Sequence, residues 1–262
     1  MNDQTPSVLY GAMNGVATIR LNRPQLLNAL NESMLVLLAA ALHRARDDDD
    51  VRAVLLTGSG RGFCAGAELV REQTDEPPDA ADTLRRLYHP VILGMRKLPK
   101  PVVVAVNGVA AGAGLSLALA GDIIVASRDA SFCAAFSRVG LIPDAGCTYF
   151  LPRMAGDLRA RALAMLAERI GAEEAQRQGL VWKITAPEAL DDEARQIASK
   201  LAGMPTRALG LIKQAFDASD RATLEEQLEL EAQLQSVAAH TGDFAEGVAA
   251  FIEKRTPAFR GS

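Results

Sequence analysis

Apolar and polar positions change rhythm along the chain. From Gly15 to Leu21 they alternate, with Ala17, Ile19 and Leu21 on one side, the period of a half-buried strand that stops at Asn22-Arg23-Pro24. Asn31 then offers a helix cap, and Met34, Leu35, Leu38, Leu42 and Ala45 recur at helical spacing. The acidic run Asp47 to Asp50 reads as a solvated connection. Val51–Thr57, Pro101–Val106 and Ile123–Ala126 read as further strands separated by helical patterns, so right-handed crossovers and parallel pairing are expected. The polar, Pro-rich span from Glu72 to Ala81 reads as a mobile loop before a helix around Leu84–Met95. Beyond about Asp157 only Leu180–Ile184 has strand character, and helices are predicted over 158–168, 173–178, 190–202, 207–218, 224–239 and 244–254. The layout is α/β first and all-α afterwards, and the Leu/Ala faces of the late helices suit packing on the first part or on another subunit.

Residues 102–121 carry no charge and approach the length of a bilayer span, yet Asn107-Gly108 interrupts them and β-branched residues give way to helix formers. Strand, turn and buried helix fit better than a membrane segment. Over 262 residues, 49% hydrophobic and 23% charged, the chain can bury a sizeable core. A net charge of -4 without a basic cluster argues against nucleic acid or an anionic membrane as partner. Three cysteines, Cys64, Cys133 and Cys147, lack metal spacing and are odd in number, so neither a zinc site nor a disulfide framework is expected. A reducing cytoplasm fits that usage, and Met-Asn-Asp-Gln-Thr-Pro has no signal-peptide pattern.

Two glycine-rich segments follow strands. Thr57 to Leu69 holds four glycines, but neither a dinucleotide fingerprint nor a phosphate loop. It serves either as a plain connection or as a turn that leaves a peptide N–H near Ala67 pointing into a pocket. Asn107 to Ser116 opens a helix whose first amides lack intrahelical partners and sit at the positive end of the dipole. Two such loops can supply two donors to an enolate oxygen. Gly114-Leu-Ser-Leu-Ala118 approximates a nucleophile elbow, but the fifth position is Ala, and His43, His89 and His240 lack a clear acidic partner. A third segment contains Pro143-Asp144-Ala145-Gly146. It reads either as a type I turn with Asp144 as a local cap, or as a carboxyl made basic by apolar neighbours such as Leu141, Ile142, Phe136, Val139, Phe150 and Leu151.

Leu21-Asn-Arg-Pro with Asn28-Ala-Leu30, Gly62-Phe-Cys-Ala-Gly-Ala-Glu-Leu69, Pro101 to Asp122, Gly140-Leu-Ile-Pro143 and Phe251 to Phe259 resemble the enoyl-CoA hydratase/isomerase (crotonase) superfamily. Nearly the whole chain takes part. Within it, Ala135–Asp144 and Gly210–Ala215 are most similar to the enoyl-CoA and 1,2-epoxyphenylacetyl-CoA isomerase subgroup. The resemblance implies an α/β spiral of β-β-α turns over residues 1–200 that binds the CoA ester, and a C-terminal helical oligomerisation region over 201–262. It further implies a thioester oxygen held by the N–H groups of Ala67 and Ala113, CoA bound by Arg23, Ala65, Ala67 and Leu69, and a homotrimer or hexamer. No separate cofactor or metal is implied, because CoA is part of the substrate. Where hydratases of the family carry two glutamates, this chain has Ser116 and Phe136, and Asp144 stands where isomerases present their carboxylate. The expected activity is therefore a CoA-thioester isomerase, with a hydratase or a non-catalytic acyl-CoA-binding relative as alternatives.

Overall fold

A computed structural model of the chain describes residues 6–69 and 79–262; most of the span expected to form the mobile loop lies outside them. The first strand of the molecule, β1 (Val8–Met13), escapes the periodicity argument because its far half is exposed on both faces. It pairs antiparallel with β2 (Val16–Leu21), an exception to the expected parallel pairing. Helix α1 (Glu32–Asp47) begins as expected, with Asn31 Oδ1 accepting the Met34 N–H at 3.0 Å.

β3 (Ala53–Gly58) and β5 (Val102–Val106) are buried at every position, which is why their sequences are apolar runs rather than alternations. Their odd and even residues go to different cores. Val54, Leu56, Val102, Val104 and Val106 join Ile19 and Leu21 against α1, whereas Ala53, Leu55, Val103 and Ala105 face Leu190, Ala194 and Ala198 of α8 (Leu190–Ala202). β3 is followed by the short β4 (Gly62–Cys64). Next come α2 (Ala80–Thr83), a π-helical turn at Leu84–Tyr88 and α3 (His89–Arg96), which together form the helix expected there. β5 leads to β6 (Val109–Ala111) and α4 (Ala113–Leu119), then β7 (Ile123–Ser127) leads to β8 (Ser131–Cys133).

Each long strand thus continues into a short one that belongs to a second sheet. The first sheet runs β1-β2-β3-β5-β7-β10, with β10 at Lys183–Thr185, and the second β4-β6-β8-β9, with β9 at Ile170–Gly171, the layers of a β-β-α spiral. Three-residue strands such as β4, β6 and β8 are too short to leave a period in the sequence.

Helices α5 (Cys147–Ala155) and α6 (Asp157–Leu166) precede β9 (Ile170–Gly171), which pairs antiparallel with β8 and was not expected. After α7 (Ala172–Arg177), β10 (Lys183–Thr185) occupies only the end of the expected 180–184 strand. Leu180 and Val181 there are core residues rather than ladder members. Helices α8, α9 (Thr206–Ser219), α10 (Leu224–Ala239) and α11 (Gly242–Glu253) match the predicted positions within two residues. Residues 102–121 form strand, turn and buried helix, and among the described residues no helix is long and apolar enough to cross a membrane. α9 is tied to the core by buried Lys213, whose Nζ donates to the Met95 carbonyl at 2.7 Å and to Asp122 at 2.8 Å.

Candidate active site

The first glycine loop is anchored beside Leu30. Leu30 N–H donates to the Gly66 carbonyl at 2.8 Å, and Glu68 N–H donates to the Leu30 carbonyl at 2.8 Å. In this parallel bridge the residue between, Ala67, turns its own N–H to the opposite side. Arg23 braces the loop: its guanidinium donates to Glu68 at 2.7 and 3.2 Å and to the Ala29 carbonyl at 2.8 Å. The Arg23 partner holds the Glu68 carboxyl below the usual range.

The second loop meets the first at backbone distance. A methyl added to Gly66, whose φ is +99°, would sit 2.7 Å from the Ala111 carbonyl oxygen and 3.4 Å from the Ala113 nitrogen. A methyl on Gly114 would fall 2.2 Å from the Cys64 carbonyl oxygen. Glycine is therefore required for the two loops to approach this closely. Ala113 is the first residue of α4, so its N–H has no intrahelical acceptor. Among the described residues neither the Ala67 nor the Ala113 N–H donates a hydrogen bond. The result is two adjacent, unengaged donors, one at the positive end of a helix dipole.

The carboxyl comes from the segment before α5. Cys147 N–H donates to the Asp144 carbonyl at 2.9 Å across Ala145 and Gly146, whose φ values are +47° and +86°. The turn closes over 144–147, one residue later than the expected 143–146, and with both central residues at positive φ it is the mirror form of a type I turn. Asp144 does not cap the helix; Gly146 occupies that place. Asp144 Oδ1 is buried and accepts no hydrogen bond among the described residues, and burial pushes the carboxyl up to about 6.

Of the six apolar residues expected around Asp144, half are buried and half are exposed. Val139, Leu141 and Ile142 are exposed, while Phe136, Phe150 and Leu151 are buried. Tyr88, at the end of the π-helical turn, and Cys147 both lie within the electrostatic reach of Asp144. Burial drives the Tyr88 hydroxyl to about 12 and the Cys147 thiol to about 11, so both stay neutral around Asp144. Tyr88 carries no periodic signal of its own, and sequence reasoning missed it. Its mark in hindsight is a lone aromatic polar residue on an otherwise apolar helix face.

Ser116 is fully buried inside α4, one helical turn after Ala113, so the nucleophile-elbow pattern has no strained turn under it. Its Oγ donates to the Asp144 carbonyl at 2.9 Å. The three histidines are exposed. The three cysteines are free and buried, and among the described residues no group of three His, Cys, Asp or Glu side chains could hold a metal.

The family model described as enoyl-CoA hydratase/isomerase matches residues 11–262. The chain belongs to that family. The 1,2-epoxyphenylacetyl-CoA isomerase of Escherichia coli K12 is 48% identical over 257 residues, covering 97% of this chain and 98% of its own. A Rhodobacter capsulatus protein named "Probable enoyl-CoA hydratase" is 46% identical over 255 residues, covering 97% and 98%. The crystal structure of an enoyl-CoA hydratase from Bacillus anthracis superposes with a TM-score of 0.92 at 34% identity, covering 98% of this chain and 100% of that one. In this enoyl-CoA hydratase/isomerase family member the spiral places both glycine loops and the Asp144 turn around α4. Phe136 and Ser116 are both buried, and neither side chain can exchange a proton with substrate near neutral pH.

Proposed function

We propose that the protein is a CoA-thioester isomerase acting on a 3-enoyl-CoA or on the ring 1,2-epoxide of an arylacetyl-CoA. The observation that carries this reading is the buried Asp144 Oδ1, which accepts no hydrogen bond among the described residues, in a site without a second acid–base side chain at 116 or 136. Water addition uses a base for water and an acid for the carbon. Allylic isomerisation needs only one group that takes a proton and returns it.

In this mechanism the thioester C=O sits between the Ala67 and Ala113 N–H groups. Asp144 takes a proton from the carbon between the carbonyl and the C=C bond, and the electron pair delocalises to a dienolate whose oxygen the two amides hold. The Asp144 carboxyl then returns the same proton to the far end of the former double bond, giving the conjugated 2-enoyl ester. With a ring epoxide, the same oxyanion site stabilises the thioester side while the ring opens. A carboxyl titrating at about 6 is mostly ionised at neutral pH yet basic enough to compete for a carbon-bound proton. No metal, redox group or nucleotide enters this chemistry.

CoA would lie along Arg23, Ala65, Ala67 and Leu69. Since Glu68 already holds the Arg23 guanidinium, Arg23 serves chiefly to keep this edge in place. The C-terminal helices would join subunits in a homotrimer or a hexamer of two trimers, and the cytoplasm is the expected compartment.

The deciding experiment follows conversion of a 3-enoyl-CoA to the 2-enoyl ester beside hydration of crotonyl-CoA. Isomerisation should dominate, and Asp144→Asn should reduce it by about 100- to 10,000-fold while CoA-ester binding persists. Faster hydration than isomerisation by the native protein would favour the second reading, a hydratase, which the similarity to the Rhodobacter capsulatus protein supports.

A further inference from the structure

We propose that Ser116 is a positioning residue that holds Asp144 in its desolvated orientation and joins the base mechanically to the oxyanion donors. The proposal rests on the reading of Asp144 as the proton-transfer base.

The Ser116 Oγ–H donates to the Asp144 main-chain carbonyl at 2.9 Å, with the Gly112 carbonyl farther away at 3.5 Å and the Cys147 thiol also within hydrogen-bonding reach. Serine hydroxyls inside helices usually bond back to the carbonyl four residues earlier. Here the shorter bond leaves the helix and reaches the reversed turn. That turn holds Ala145 at a φ of +47°, a left-handed conformation that is unfavourable for an alanine and persists only where surroundings enforce it.

Two bonds meet on the Asp144 carbonyl and do so: the Cys147 N–H closes the turn, and the Ser116 hydroxyl fixes it to α4. The same α4 begins at Ala113, so one rigid helical turn spans the oxyanion donor and the tether. Ser116 touches no reacting atom in this arrangement. It sets where the carboxylate points and how little water reaches it.

Groups facing Asp144 come from two further elements, Tyr88 of the π-helical turn and Cys147 of α5, and Cys64 of β4 lies near Tyr88 rather than Asp144. Burial holds all three protonated near neutral pH, so none supplies a charge that would fix the carboxylate in the tether's place.

The test is Ser116→Ala, read by kinetics with a 3-enoyl-CoA and by 13C NMR titration of the Asp144 carboxyl, assigned through its loss in Asp144→Asn. The expected result is a kcat lower by about 10- to 100-fold with KM changed no more than about twofold. The Asp144 carboxyl, and with it the acid limb of the rate profile, should move down by about one pH unit as water enters the loosened turn. A carboxyl that titrates unchanged in Ser116→Ala overturns the proposal, whatever happens to the rate, because a merely structural loss would not move it. If Ser116→Ala fails to fold, Ser116→Cys, with similar volume and a weaker donor, carries the same titration and should shift in the same direction. Retained turnover in Asp144→Asn would instead overturn the base assignment, and the titration in Ser116 variants would still decide whether the tether exists.

Discussion

Arg23 and Glu68 meet through two contacts, 2.7 and 3.2 Å long, with side chains only 15% and 26% exposed, directly beside Ala67, whose N–H is the proposed oxyanion donor. The pair spans 45 residues of sequence and fixes the far side of the loop that ends at Ala67. Exposed ion pairs contribute little, about 0.2–1 kcal/mol, and this partly covered, two-point pair belongs near the upper end of that range. Glu68→Gln should lower stability by about that amount, measured by urea denaturation. Because the mis-set loop carries Ala67, kcat/KM should fall by about 3- to 10-fold. An unchanged kcat/KM would show that the Leu30 bridge alone positions Ala67.

The raised Asp144 carboxyl links catalysis to stability with opposite signs. The proposed base acts in its ionised form, so kcat/KM should lose about tenfold per pH unit below about 6. Stability runs the other way. A carboxyl that titrates at about 6 in the fold and near its ordinary value when unfolded binds more protons in the fold between those limits, so its contribution falls as pH rises from about 4 to about 6 and stays lost above. Asp144→Asn should therefore raise the thermal midpoint at pH 8, by an amount corresponding to at most about 2–3 kcal/mol, and change it little at pH 4. Calorimetry at the two pH values checks this; equal shifts at both would contradict the desolvation.

The Ala113 donor can be deleted without touching a side chain's chemistry. Proline is well accepted at the first residue of a helix, where its missing N–H has no helical acceptor. Gly112, at φ +52° and ψ -129°, has the mirror image of the extended conformation that a residue before proline prefers. Ala113→Pro should fold, keep CoA-ester affinity within about threefold and lose about 100- to 1,000-fold in kcat. Circular dichroism and steady-state kinetics with a 3-enoyl-CoA measure both halves of the expectation. A small rate loss in a folded variant would leave Ala67 as the dominant donor.

Legibility of the sequence followed element length. α1 and α8 to α11 carry many turns of periodic apolar residues, and the strands β3, β5 and β7 carry dense apolar runs, so both kinds were visible. β4, β6, β8 and β9 have two or three residues, and their partners are far away in sequence, so no local pattern marks them. The glycines of both loops announced a close backbone approach, and Gly66 and Gly114 provide it. The Asp144 segment was legible as a turn but in neither its register nor its handedness, because Ala145 at positive φ follows from the bonds made on the Asp144 carbonyl rather than from its own preference. Likewise, the neighbours of Asp144 include Tyr88, which is 56 residues away and reaches the site only through the path of the spiral.

The last expectation concerns assembly. Phe251 and Ile252 on α11 are 84% and 72% exposed, and Phe216, Leu224 and Leu228 on and around α9 and α10 are 73%, 70% and 55% exposed. Scattered single apolar residues are ordinary on a surface, but several large ones on consecutive helices form the kind of patch that proteins cover. The patch follows the helices that complete the fold without closing over their own outer faces; among the described residues α10 buries none of its side chains fully. A second copy of the chain is the expected cover, arranged cyclically so that each subunit donates the same surface. Sedimentation at micromolar concentration should give three or six chains. Phe251→Asp with Ile252→Asp places charge in the contact, where desolvation without a partner is costly, and should shift the species toward monomer. Far-ultraviolet dichroism should remain near native, because these side chains contribute little to the chain's own core. A monomer for the unmodified protein would remove the assembly expectation. An intact oligomer in the doubly substituted protein would instead move the contact away from α11, toward the apolar surface of α6, where Leu158 and Met165 are 82% and 69% exposed.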